Sequence, residues 1–134
     1  MPLFRRKAPD PEAQAIRAEF TAVAVEVDAA QRALLAAIPR PRDEGVPLAE
    51  ALLSFDQAIA RARAALEPLD DAQVWAACGA ALDEAATLAG HLRLEPAELT
   101  FEALNARVGD VLHPLEIFAD VERALRRGEM PRIG

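Results

Sequence analysis

The chain holds one cysteine (Cys78), one serine (Ser54), one lysine (Lys7), two histidines (His91 and His113) and no tyrosine in 134 residues. Each scarcity closes something off. A lone cysteine forms no internal disulfide, which suits a reducing compartment. With tyrosine absent and threonine and isoleucine few, β-rich architectures lack the residues they favour. No apolar run approaches the roughly 18 residues that span a bilayer. The N-terminal cations are followed by no apolar segment of the secretory kind. No glycine-rich phosphate loop and no zinc-ligand spacing is present. A soluble cytoplasmic protein of one domain is the expectation.

What is present is an apolar half dominated by alanine and leucine, arranged with helical periodicity. Ala13, Ile16, Phe20, Val23, Val27, Ala30 and Leu34 step by three and four. Leu48, Leu52, Phe55, Ile59, Ala62 and Leu66 repeat the pattern, and so do Trp75, Cys78, Leu82, Ala85, Ala89 and Leu92. The fourth stripe runs Phe101, Leu104, Val108, Val111, Leu115, Phe118, Val121 and Leu125. Such steps place each set on one side of a helix, and periodic apolar content argues against disorder. Four stripes predict an all-α fold, an antiparallel up-down-up-down four-helix bundle.

Prolines punctuate the stripes. Asp10-Pro11 reads as a cap and first helical residue, with the first helix reaching about Ile38. Residues 39–46 form the clearest loop, because proline blocks continuation and Gly45 permits a tight turn. The second helix runs from Pro47 to Glu67-Pro68. Asp70 with Gln73 resembles a capping box for the third, which extends to about Arg93. Pro96 or Thr100 opens the fourth, ending before Gly128. His113-Pro114 interrupts that helix while its apolar register stays in phase, so a helix kinked or broken near Pro114 is predicted. Residues 1–9 are expected to be a flexible basic arm, 10–128 the bundle and 129–134 a flexible tail.

Over about 30 residues, Ala51, Phe55, Ala58, Pro68, Trp75 and Gly79 resemble the small, aromatic, proline, tryptophan and glycine positions of a tetratricopeptide repeat. The chain departs from that family in a late Pro68 and an unsplit third helix. No second copy stands at the period of about 34 residues.

Chemistry-bearing residues are sparse. Asp110 and His113, three apart, share a helix face in the carboxylate-x-x-His pattern of metal-carboxylate bundles. That architecture needs the pattern twice, and here it occurs once, so no metal and no cofactor are predicted. Glu84, Thr87 and His91 share a face of the third helix, but the carboxylate and imidazole lie two turns apart, which does not support acid–base catalysis. Ser54 has no histidine nearby in sequence to activate it. Cys78, on a core stripe, is expected to be inert.

Charge is uneven. Arg5, Arg6, Lys7, Arg123, Arg126, Arg127 and Arg132, with the single acid Glu129, give the terminal segments +6, and eight cations against 21 acids give the remainder −13. An up-down-up-down bundle brings the termini together, so a basic pole formed by Arg5, Arg6, Lys7, Arg123, Arg126 and Arg127 is expected on an acidic body. Weak contact with an anionic surface would use it. A net charge of −7 argues against nucleic acid as a partner.

These observations favour a non-catalytic interaction or scaffold protein, with a protein partner or a second copy of itself. The alternative is a small apolar ligand held at the proline interruption, in a pocket lined by Trp75, Phe101, Gly109, Asp110, His113 and Pro114. A metal-dependent enzyme centred on Asp110 and His113 is the third reading.

Overall fold

A computed structural model describes residues 11–39, 44–69, 72–95 and 99–129. Every regular element among them is helical: α1 (Pro11–Leu35), α2 (Leu48–Leu66), α3 (Ala72–Arg93), α4 (Phe101–Leu112), a 3-10 turn (His113–Leu115) and α5 (Glu116–Arg126). No described helix is long and apolar enough to cross a membrane. The expected arm at residues 1–9, the cap at Asp10, the capping box at Asp70 and the end of the tail at 130–134 lie outside the described residues.

Helix ends follow local chemistry. α1 stops at Leu35, three residues short of the expected limit. Ala37 and Ile38 instead donate to carbonyls three residues back, at 3.1 Å each. The α conformation is disfavoured at the residue before Pro39, and the chain tightens before it. The Val46 N–H then returns to the Ala36 carbonyl at 3.0 Å, closing the α1–α2 connection. Of the two proposed starts for the fourth helical segment, Thr100 is the cap: its hydroxyl accepts the Ala103 N–H at 3.1 Å. α5 ends in a Schellman motif. Gly128 has φ 73°, its N–H reaches the Leu125 carbonyl, and the Glu129 N–H reaches that of Ala124, both at 2.9 Å.

The stripes bury as one cluster drawn from every helix. Phe20, Phe55, Leu34, Leu52, Leu82, Leu115 and Leu125 are its largest fully buried side chains. Burying each contributes roughly 1.5–3 kcal/mol. No charged or polar residue is buried among the described residues. α1 packs most extensively on α2, α2 on α3, and α3 on α4 and the 3-10 turn, while α5 packs on α1. The last helical segment therefore changes neighbour, from α3 to α1, across His113–Leu115.

One stripe residue departs from expectation. Phe101 is 56 % exposed. It is the first residue of α4, where the heptad phase extends beyond the packed surface.

Candidate functional site

The aromatic residues meet in the core. Phe20 stacks on Trp75 with ring centroids 5.4 Å apart and planes 21° from parallel. It also stacks on Phe118 at 6.2 Å and 15°. This aromatic cluster joins α1, α3 and α5. All three rings are buried, so their first role is core packing. Trp75 carries one anomaly: its buried Nε1–H has no acceptor among the described residues. Leaving a buried donor unpaired costs roughly 1–3 kcal/mol.

The six residues expected around the proline interruption are not brought together. Trp75 is in the aromatic cluster and Phe101 faces solvent. Gly109, Asp110 and His113 are exposed, and Pro114 is half-buried. Through the interruption the backbone stays in the right-handed helical region, with the His113 N–H donating to Gly109 and the Glu116 N–H to His113. The His113 imidazole lies 3.3 Å from the Glu116 carboxylate, with both side chains largely in water. Val108, Val111, Leu115 and Phe118 remain buried on both sides, so the stripe passes through the interruption in phase.

Asp110 lines a groove of about 260 Å³ between α3 and α4, with Leu88, His91, Leu92, Glu95, Arg107 and Val111. Sequence reasoning treated the two helices separately and missed that His91 and Asp110 share it. Arg107 is paired with Glu95 there at 3.1 Å. Among the described residues no group of three potential ligands is arranged to hold a metal ion, so the Asp110–His113 metal reading gains no further donor.

Arg5, Arg6, Lys7 and Arg132 lie outside the described residues. The remaining cations of the expected pole each have an acid beside them: Arg123 pairs with Asp120, Arg126 with Glu122 and Arg127 with Glu129. That half of the cluster is locally balanced.

Cys78 is fully buried. Desolvation raises its thiol to about 12, and thiolate is the nucleophilic form, so Cys78 is unreactive near neutrality. Ser54 is exposed on α2. Thr87 bonds its own helix through the Asp83 carbonyl at 3.0 Å.

A second groove, of about 280 Å³, lies between α1 and α5. Phe20 and Leu125, both 1 % exposed, form its base. Ala24 and the exposed Val25 lie beside them, with Arg17, Thr21, Asp28 and Glu122 around the edge. Its signal in the sequence is slight: Ala24 and Val25 sit off the stripe, and only the small Ala24 leaves the space open.

No protein-family description, curated protein or solved structure matches this chain.

Proposed function

We propose that this chain is a non-catalytic helical-bundle interaction protein that associates with a second copy of itself through one apolar end. The architecture underlying this reading is an antiparallel up-down-up-down four-helix bundle whose last helix bends at Pro114. Two cross-helix ion pairs support the order. Arg63 of α2 meets Asp83 of α3, and Asp56 meets Arg93. Moving back along α2 therefore moves forward along α3, as antiparallel neighbours must. Arg61 reaches Glu26 of α1 at 2.8 Å, and the short Val46–Ala36 bond fits a hairpin of α1 and α2.

The observation that carries the reading is where large apolar side chains are exposed. Among the described residues they are Val25, Leu35, Val46, Leu53, Leu94 and Phe101. Leu35 and Val46 flank the α1–α2 connection, and Leu94 and Phe101 flank the α3–α4 connection. The Asp56–Arg93 pair sets the end of α3 beside the middle of α2, and in the proposed antiparallel order both connections belong to the same end of the bundle. Leu94 is 85 % exposed, nearly the whole side chain in water. A two-fold axis there would oppose this surface to its own copy. The chain's net charge of −7 opposes every approach of two copies, so an apolar contact has to supply the association.

Helices about 10 Å apart give the end of a four-helix bundle roughly 400 Å² per copy. That is at the low end for specific association, so the expected dimer is weak and reversible. Light scattering over a concentration series, in low and in high salt, tests it. A concentration-dependent rise toward twice the monomer mass that survives high salt supports the apolar end. A monomer at every concentration refutes it, and a dimer lost in salt transfers the contact to charged groups.

A further inference from the structure

We propose that the groove between α1 and α5 is the docking site for the chain's own N-terminal segment, with Leu3 and Phe4 entering its apolar base. This surface is separate from the end that pairs copies.

Three observations converge. The first is shape and polarity. A groove of about 280 Å³ has Phe20 and Leu125 at its base and Ala24 and Val25 along one side. Val25 is 59 % exposed, although it stands beside two of the most deeply buried side chains of the core. One or two apolar side chains of ordinary size match that space.

The second is charge. Asp28 and Glu122 stand at the groove, each roughly half in water. Their present partners, Arg32 and Arg126, are one turn along their own helices, and such exposed pairs exchange at little cost. The segment that precedes α1 reads Leu3-Phe4-Arg5-Arg6-Lys7. It joins two large apolar residues to three successive cations, the composition that an apolar floor with an acidic edge accommodates. Arg17 is the one cation lining the groove, and it lies toward the start of α1, nearer Ala8 and Pro9 than the three cations in a segment folded back along the helix.

The third is reach. Seven residue steps separate Phe4 from Pro11, about 23 Å when extended. From Pro11 to Val25 along α1 is 14 steps, about 21 Å at the helical rise. A segment folded back along α1 therefore brings Phe4 level with Val25.

The test is disulfide trapping in the full chain. A cysteine at Pro2→Cys leaves Leu3, Phe4 and the cations intact. It is paired with Val25→Cys in the groove or with Glu19→Cys, an exposed position about 120° around α1 from Val25 and outside the groove lining. Glu19 closes the shorter loop, so unguided collision favours it over Val25. Native Cys78 is buried and does not compete. The expected result is an intramolecular disulfide forming at least about fivefold faster with Val25→Cys than with Glu19→Cys, the preference disappearing on Phe4→Asp. Equal rates at the two positions overturn the proposal. So does a cross-link that forms only between chains, which assigns the groove to the segment of a second copy. All substitutions are at exposed α1 positions or ahead of α1, and far-ultraviolet circular dichroism confirms that each variant is folded.

Discussion

Replacing Phe20 with alanine separates a residue that holds the fold from one that merely continues a pattern. Phe20 and Phe101 both lie on apolar stripes, yet Phe20 is 1 % exposed and Phe101 56 %. An aromatic side chain buries about 150–250 Å², which at roughly 25 cal/mol per Å² is worth some 4–6 kcal/mol as an upper bound. Truncation also removes the stacks on Trp75 and Phe118, each worth about 0.5–1.5 kcal/mol beyond its area. Partial collapse of the surrounding side chains recovers part of this, and measured Phe→Ala costs in cores are about 3–5 kcal/mol. The expected loss is thus about 4 kcal/mol, a large fraction of the 5–15 kcal/mol that holds a domain together. In urea, with a slope of about 2 kcal/mol per molar, the midpoint should fall by about 2 M. Far-ultraviolet circular dichroism is the suitable probe, because Trp75 fluorescence changes with the stack itself. Phe101→Ala should cost no more than about 0.5 kcal/mol. A loss below about 1.5 kcal/mol for Phe20→Ala, or equal losses at both sites, would refute the reasoning.

Three further outcomes are expected. A Cβ at Gly45 would stand 2.9 Å from the Ala37 carbonyl oxygen, whereas one at Gly109 meets nothing within 4 Å; Gly45→Ala should destabilise by about 1–3 kcal/mol and Gly109→Ala stabilise by about 0.5–1 kcal/mol, measured by thermal melting. Because burial raises the Cys78 thiol from 9.0 to about 12, the unfolded chain loses this proton first; stability due to the neutral thiol is complete below pH 9 and is lost as pH rises toward 12, by at most about 1.4 kcal/mol per pH unit, and a Cys78→Ala variant should lack this component in urea titrations across that range. Trp75→Phe removes the unpaired Nε1–H while keeping a ring against Phe20, so its stability in denaturant titration should stay within about 1 kcal/mol of the parent.

The apolar stripes carried most of the fold. Phe20, Phe55, Cys78, Leu82 and Phe118 are buried where a three-four spacing places them, because helical geometry converts spacing directly into a face. Phe101 shows where this stops. Periodicity says which side of a helix is apolar, but not whether a neighbour covers its first turn. The choice between Pro96 and Thr100 as helix start needed the Thr100–Ala103 hydrogen bond, since both residues suit that position.

Site features were less legible because they arise between helices. The sharing of one groove by His91 and Asp110 depends on how α3 and α4 are offset, which neither stripe encodes. The α1–α5 groove depends on the small Ala24 lying near Leu125. Counting terminal cations along the sequence left out Asp120 and Glu122, which lie within one turn of Arg123 and Arg126 and pair with them.

The central claim, association through the end carrying Leu35, Val46, Leu94 and Phe101, is tested most directly by placing a charge there. Leu94→Glu and Val25→Glu each put a carboxylate at an exposed aliphatic residue, the first at the apolar end and the second ten residues before Leu35 on α1, so neither disturbs the core. Solution mass is measured by light scattering at matched concentrations. The expected result is a concentration-dependent dimer for the parent chain and for Val25→Glu, and a monomer for Leu94→Glu. A parent chain that stays monomeric, or a Leu94→Glu variant that dimerises as well as the parent, would contradict the account.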